Sequence, residues 1–269
     1  MVNTFFQQLS KWSLVGTIAL FFPFITPLEK PAWANSPDDA PKNLTQFLDE
    51  FETAANEQNL EAVTNAYSSD FNTQEGLSGQ DLTEKLQQLW ETYSQVNYEV
   101  ELESWEEDGD DLIAETVTHI RGERQARGQQ VELEAQLRSR QRINNDQITS
   151  QETLSESSQV FMGENAPRVR VNAPNQVGVG ERFNFDVIVR EPMGDDILMG
   201  TAMQEEVTAS NYLNPQTLDL DVLPGGGIFR TGEASSSPGQ RWLSAVIVRS
   251  DGMTLVSQRM NIVAETSEL

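Results

Sequence analysis

The chain has 269 residues, a formal net charge of −24, one histidine and no cysteine. This charge makes nucleic acid a poor partner, because phosphate binding depends on clustered lysine and arginine side chains. The lack of cysteine excludes disulfides, iron–sulfur clusters and cysteine nucleophiles, and a single histidine removes most zinc and haem sites. We therefore expect no metal and no cofactor.

The first 34 residues follow the pattern of a cleavable secretory signal. Lys11 precedes an uncharged apolar run from Leu14 to Ile25, and the small residues Ala32 and Ala34 stand just before Asn35. A run of about twelve residues is shorter than the roughly twenty that a membrane-spanning helix needs. We predict cleavage after Ala34 and export to a periplasmic, lumenal or extracellular space, without stable membrane insertion afterwards. An uncleaved membrane anchor is the alternative.

Three helices are predicted after a flexible leader at residues 35–42. Asn43 is a plausible N-cap for the first helix, which carries apolar residues at helical spacing from Leu44 to Phe51. The second helix is predicted over Leu60–Tyr67, followed by a turn at Ser68–Phe71. The third helix is predicted to begin near Ser78 and Asp81 and to continue to Tyr93.

From Val96 the apolar period changes from 3.6 to 2, which predicts half-buried strands. Turns at Asp108–Gly109, Arg127–Gly128 and Asn144–Asp146 divide the segment into four strands that end at Leu154. The polar, weakly patterned stretch Ser155–Pro167 is the predicted boundary. Three helices followed by an antiparallel meander predict an α+β domain over residues 43–160.

Residues 167–264 are predicted to form a second, all-β domain. Turn signals separate seven short strands, which favours an immunoglobulin-like β-sandwich without the cysteine pair of true immunoglobulins. The predicted strands are Arg168–Val171, Phe183–Val189, Leu198–Val207, Leu218–Leu223, Ile228–Glu233, Trp242–Arg249 and Leu255–Val263.

Residues 44–154 resemble the nuclear transport factor 2-like superfamily, in particular its SnoaL-like branch. The resemblance rests on the opening helix Leu44–Phe51, on Asn59–Val63 and on Tyr67–Phe71, followed by a third helix and a bent meander. It implies an α+β cone, in which three helices pack on a curved antiparallel sheet that encloses a pocket. Members of the superfamily include isomerases, cyclases, dehydratases and non-catalytic binding or dimerisation modules. The second half resembles a bacterial immunoglobulin-like domain.

Enzymes of this superfamily generally use an acidic residue or a histidine in the pocket, which directs attention to Glu115 and His119. A symmetric hairpin about Asp108–Gly109 would place both side chains inside the cone beside Tyr98. The predicted ligand pocket consists of Tyr98, Val100, Leu102 and Val117.

A register slip of one residue, or a β-bulge, gives the alternative placement of Glu115 and His119. Both side chains would then lie on the outer face as ordinary surface charge. There they would stand between two charged rows, one of Glu99, Glu101 and Glu103 and one of Arg138, Arg140 and Arg142.

Basic residues are distributed unevenly along the chain. All 14 arginines lie at or after Arg121, and Lys42 and Lys85 are the only basic residues between Ala34 and that position. A basic protein partner on the helical half, or packing of the two domains through complementary charge, would both follow.

The sequence favours an exported, non-catalytic binding or assembly protein whose cone offers a pocket for a small apolar ligand or a homodimer face. The first alternative is a small-molecule isomerase, dehydratase or cyclase that uses Glu115 and His119. The second alternative is a structural envelope or lumen protein that docks through its sandwich. This last role predicts that the largest exposed apolar patch lies on the sandwich.

Overall fold

A computed structural model describes residues 34–192, 196–213 and 219–264. The predicted signal peptide, residues 1–34, lies outside the described residues except for Ala34. Within the described part of the chain, no helix combines the length and the apolar character needed to cross a membrane.

Helices are concentrated near the start of the described chain. They are a 3₁₀ turn at Pro37–Asp39 and the α-helices α1 (Lys42–Asn56), α2 (Leu60–Asn65), α3 (Gly79–Thr92) and α4 (Ala209–Leu213). The predicted start of the third helix is confirmed by a capping box, in which Ser78 and Asp81 bond each other's backbone amides. Asn59 lies between α1 and α2. It caps α2 because its side chain accepts a hydrogen bond from the Ala62 amide.

Strands make up most of the remaining described structure. They are β1 (Tyr67–Thr73), β2 (Gln95–Asp108), β3 (Asp111–Ala126), β4 (Gln129–Asn144), β5 (Gln147–Met162), β6 (Val169–Asn172), β7 (Gln176–Gly178), β8 (Arg182–Val189), β9 (Met199–Glu206), β10 (Asp221–Val222), β11 (Gly227–Glu233), β12 (Gly239–Arg249) and β13 (Gly252–Val263). The predicted hairpin turns at Asp108–Gly109 and Arg127–Gly128 are confirmed, with Gly109 and Gly128 at positive φ.

The chain divides into two compact units. The first, which we call the helical unit, contains the described residues up to Gly122 together with residues 134–156. The second, the β unit, contains residues 123–133 and the described residues from Ser157 onward. Strands β3, β4 and β5 therefore contribute residues to both units. The predicted domain limits, 43–160 and 167–264, stay a prediction.

In the helical unit, β2, β3, β4 and β5 lie side by side, and β1 pairs with β5 in parallel. Apolar residues of α1 and of the strands form one buried cluster between helix and sheet. Its fully or nearly buried members are Leu44, Phe47, Leu48, Phe71, Ala114, Ile143 and Ile148. Burial of this apolar surface is the main force that holds α1 on the sheet.

Side chains of α1 cover the outer edge of β2. Asn56 accepts a hydrogen bond from the Tyr98 amide at 2.7 Å and donates one to the Tyr98 carbonyl at 2.8 Å, as a neighbouring strand would. Glu52 accepts a hydrogen bond from the Val100 amide at 2.7 Å. Farther along, Asn35 and Trp105 form a backbone bridge. These contacts satisfy backbone groups that an edge strand would otherwise present for pairing with another chain.

The β unit contains two sheets. In one, β10, β9, β12 and β13 are neighbours, and β13 also pairs with residues 157–162 of β5 and with β7. The other sheet has the order β11, β8, β6. A single apolar cluster joins their facing sides, and its least exposed members include Val187, Leu198, Leu243, Ala245, Ile247 and Met260.

The predicted fold class, a three-helix α+β cone followed by an immunoglobulin-like sandwich, is wrong. The described residues form mostly antiparallel sheet, with 57% strand and 19% helix. The predicted turn Ser68–Phe71 lies inside β1, and the predicted boundary Ser155–Pro167 is strand as far as Met162. In the second stretch Ser157, Ser158 and Gln159 pair with β13 through the backbone, and a pattern of apolar residues does not reveal such pairing.

Candidate functional site

Three of the residues predicted to form a ligand pocket lie on the side of β2 that faces the helices. Val100 and Leu102 pack against the buried cluster of the helical unit. Tyr98 is buried, and its hydroxyl accepts a hydrogen bond from Trp90 Nε1 at 3.0 Å. Burial raises the pKa of Tyr98 above its ordinary value. These side chains therefore contribute to packing between helix and sheet.

Glu115 projects from the opposite face of the sheet. It follows Ala114, a member of the buried cluster, and successive strand residues point to opposite faces. Its carboxylate accepts hydrogen bonds from Arg138 Nη2 at 2.8 Å and from Arg140 Nη2 and Nε at 2.6 and 3.0 Å. The alternative placement of Glu115, on the outer face of the sheet beside the row of arginines, predicts these partners.

Val117 and His119 follow Glu115 on β3 at intervals of two residues. Val117 is buried and His119 is half-buried. The structure thus does not gather the six predicted site residues in one pocket, because Tyr98, Val100 and Leu102 face the helices whereas Glu115 joins the arginines. The catalytic roles assigned to Glu115 and His119 stay a prediction.

Arg138, Arg140 and Arg142 form an arginine row on β4, with their side chains on one face. Each guanidinium bridges two carboxylates. Arg138 binds Glu103 and Glu115, Arg140 binds Glu115 and Glu152, and Arg142 binds Asp108 and Asp111. Hydrogen bonds from Arg142 and Asn144 hold the pKa of Asp111 below its ordinary value. Glu115 has the least exposed of these carboxylates, with 9% of its side chain accessible.

A groove of about 430 Å³ lies beside this row within the helical unit. Its lining combines two arginines with amide, hydroxyl and aliphatic side chains. Among them are Asn72, Gln74, Ile113, Arg140, Arg142 and Ser150. Cavities of about 300–1,000 Å³ are the usual size of small-molecule sites.

The second candidate site is an apolar edge in the β unit, which we define as Ile197, Met199 and Val222. Their exposed fractions are 71%, 37% and 66%. Met199 and Val222 are direct cross-strand partners of β9 and β10. On its other side, β9 lies close to β12 at Gly200, where a Cβ atom would stand 2.5 Å from the Val246 carbonyl oxygen. The sequence assigned Met199 and Val222 to strands and left Ile197 just before one, but it did not indicate that all three are exposed.

Acidic residues lie on or next to the strands of the apolar edge. Asp219 and Asp221 are exposed beside Val222. Glu205, farther along β9, has a buried Oε1 atom without a hydrogen-bond partner among the described residues, and burial raises the pKa of its carboxyl group. Within the described ranges, no group of three or more His, Cys, Asp or Glu side chains is arranged to hold a metal ion.

Comparison with known proteins gives one family match. A family model described as a domain of unknown function, DUF8623, matches residues 164–263. No curated protein matches the chain in sequence.

Several solved structures are similar to part of the chain. Bd1075 of Bdellovibrio bacteriovorus is 16% identical, with a TM-score of 0.33, and the match covers 42% of this chain and 39% of that one. An LEH-like epoxide hydrolase of M. tuberculosis is 15% identical, with a TM-score of 0.28, over 41% of this chain and 80% of that one. A hypothetical protein of Catenulispora acidiphila with a ketosteroid isomerase-like fold, in complex with trimethylamine, is 15% identical, with a TM-score of 0.26, over 44% and 85%.

These neighbours have SnoaL- or nuclear transport factor 2-like, ketosteroid isomerase-like and LEH-like folds, and they correspond to only about 40% of the chain. At such TM-scores the similarity carries no argument about function. An immunoglobulin-like domain is not shown by any of these comparisons.

Proposed function

We propose that this protein is exported after cleavage behind Ala34 and serves as a non-catalytic docking module. In this role the apolar edge of the β unit binds an extended segment of a partner protein that carries apolar and basic side chains. The proposal rests on three neighbouring apolar side chains that are exposed. Met199 lies on β9, Val222 on β10, and Ile197 just before β9.

The apolar edge has the properties of a protein-binding surface. Single exposed apolar residues are normal on proteins, but neighbouring ones at a sheet edge mark interaction sites. Beyond Gly200, β9 has only β12 as a strand neighbour among the described residues, because β10 pairs with Met199 and Gly200 alone. An added strand would therefore gain main-chain hydrogen bonds along Thr201–Glu205, whereas the Glu206 carbonyl already accepts one from the Asn211 side chain at 2.9 Å.

Charge favours a basic partner over a second copy of the chain. Asp219 and Asp221, just before Val222 in the chain, are exposed carboxylates. Lysine or arginine side chains would satisfy these carboxylates, whereas a second acidic edge would repel them. The net charge of −24 acts in the same direction over longer distances.

We do not propose acid–base catalysis at Glu115. Both of its carboxylate oxygens already accept hydrogen bonds from Arg138 and Arg140, and Tyr98 lies on the other face of the sheet. A general base needs an oxygen within reach of a substrate proton.

The experiment measures binding of a synthetic eight-residue peptide of alternating isoleucine and lysine to the full chain by isothermal titration calorimetry. We expect Val222→Asp to weaken binding at least about tenfold, since it places a desolvated charge in an apolar contact. Phe229→Asp is the matched control. Phe229 is also exposed, at 61%, but lies on β11 in the other sheet, so this variant should bind normally.

Three results would contradict the proposal. The first is equal loss of binding in the two variants, and the second is equal binding of a peptide in which glutamate replaces lysine. The third is a dimer in native mass spectrometry that Val222→Asp dissociates, since a second copy would then occupy the edge.

A further inference from the structure

The groove beside the arginine row has no role in the proposed docking. It lies entirely in the helical unit, between the end of β1 and the outward-facing side chains of β3, β4 and β5. Ile113 on β3 supplies an aliphatic surface, and Arg140 and Arg142 supply guanidinium groups.

The polar groups of the groove include both hydrogen-bond donors and acceptors. Asn72 and Gln74 present exposed amides, each of which has two donors and one acceptor oxygen. The side chains of Gln74 and Ser150 have no hydrogen-bond partner among the described residues, so their capacity is available to a ligand. Glu152 adds a carboxylate, of which one oxygen accepts a hydrogen bond from Arg140.

The charge of the groove argues against an anionic ligand. Arg142 already binds Asp108 at 2.7 Å and Asp111 at 2.5 Å, and Arg140 binds Glu115 and Glu152. The two arginines thus already form ion pairs with four carboxylates. A phosphate or carboxylate ligand would have to displace these partners, because a guanidinium offers a limited number of donors in a fixed plane.

The groove is held in shape by its surroundings. Asn72 and Thr73 of β1 pair with Ser150 and Gln151 of β5. The backbone amide of Gln74 continues this pairing by donating a hydrogen bond to the backbone carbonyl of Gln151 at 3.2 Å. The two ion pairs of Arg142 fix its guanidinium at the other side. Lining groups that are already positioned lose little entropy when a ligand binds.

We propose that this groove binds a neutral, hydroxyl-rich ligand of the size of a mono- or disaccharide. Sugar hydroxyls both donate and accept hydrogen bonds, which matches the amides, the Ser150 hydroxyl, the Glu152 carboxylate and the remaining guanidinium hydrogens. The C–H face of a sugar ring matches the aliphatic surface of Ile113. The absence of net charge on the ligand leaves the four carboxylate contacts of the arginines intact.

The test is a titration of isotope-labelled full-length chain by NMR with glucose, N-acetylglucosamine and maltose as probes, and with inorganic phosphate and citrate for comparison. We expect at least one sugar to shift the amide resonances of Gln74, Ser150 and Gln151 in a saturable way. Gln74→Ala and Ser150→Ala should each weaken that sugar about 3- to 10-fold, which is the effect of one lost hydrogen bond.

Gln87→Ala is the matched control, since Gln87 is an exposed glutamine on α3, away from the groove. It should leave sugar binding unchanged. The proposal is overturned if none of the sugars shifts these resonances, if only phosphate or citrate does so, or if the two groove variants bind as tightly as the control. None of these readouts depends on the apolar edge, so failure here and failure of the docking role are distinguishable.

Discussion

The two units differ in whether an edge of their sheets is covered by other parts of the chain. In the helical unit, Asn56 and Glu52 of α1 occupy backbone groups of β2 that would otherwise be open. In the β unit, the corresponding edge at β9 and β10 carries the exposed side chains Ile197, Met199 and Val222. One edge is thus satisfied within the chain, and the other leaves apolar surface for a partner. Since unprotected edges promote aggregation, an edge left open supports the docking role that we propose.

Among these variants of the two edges, the largest loss of stability is expected when the Asn56 side chain, which covers β2, is removed. Asn56→Ala leaves the Tyr98 amide and carbonyl without their partner, and we expect the free energy of unfolding to fall by about 2 kcal/mol. Chemical denaturation followed by tryptophan fluorescence measures the change. Gln87→Ala, on the exposed surface of α3, is the control and should stay within about 0.5 kcal/mol of the unmodified chain. An equal loss in both variants would show that Asn56 has no special role at this edge.

A smaller loss is expected for Glu52→Ala. The Val100 amide loses a charge-assisted acceptor but remains accessible to water, so the expected cost is about 1 kcal/mol. Hydrogen exchange at the Val100 amide gives a local measurement. We expect faster exchange there than in the unmodified chain, and unchanged exchange at Val246 in the β unit. Unchanged exchange at Val100 would be inconsistent with the hydrogen bond seen here.

Glu205 predicts a pH dependence at the open edge. Burial raises its pKa, so this carboxyl group takes up its proton at a higher pH in the folded protein than in the unfolded chain. Its contribution to stability is complete below the unfolded-state pKa of roughly 4.3 and is lost as the pH rises through the higher folded-state value. Glu205→Gln should therefore raise the melting temperature at pH 7 and have no such effect near pH 4.

The neighbouring Glu206 supplies the control for this prediction. Its carboxylate pairs with Arg241 at 2.8 Å and is largely exposed, so Glu206→Gln should lower stability at pH 7 by about 0.5 kcal/mol or less. A gain at pH 7 for Glu206→Gln, or none for Glu205→Gln, would contradict the assignment of the buried carboxylate to Glu205.

The smallest effect on folding is expected at the apolar edge itself. Val222→Ser removes an exposed side chain and should change the free energy of unfolding by no more than about 0.5 kcal/mol. Val246→Ser is the matched control, because Val246 is almost completely buried and its loss should cost about 2–4 kcal/mol. A large loss for Val222→Ser would show that this residue serves the fold and not a partner.

Local structure could be predicted from the sequence wherever one residue type determines it. Ser78 and Asp81 begin α3 because their side chains cap the helix, and Gly109 turns the β2–β3 hairpin because it adopts positive φ. The arginine row was visible as alternation along β4. Each of these features is set by the types and spacing of residues close in sequence.

The arrangement of the sheets could not be predicted in the same way. Residues 157–162 of β5 pair with β13, almost a hundred residues later. Their first three residues are polar, and the apolar run Val160–Met162 does not indicate which distant strand it pairs with. The face on which Glu115 lies depends on strand register, and a shift of one residue reverses it. The exposure of Val222 depends on the shortness of β10, which only the structure defines.

The position of β13 has a consequence for the order in which the protein assembles. This strand, the last among the described residues, pairs with β5, β7 and β12. The ribosome synthesises all three of these strands before it reaches residue 252. Until β13 has been made, none of the three can pair with it. The sheet of the β unit is therefore completed only at a late stage of synthesis. Such delayed completion suits a polypeptide that must be threaded through a membrane before it folds, as we propose for this one.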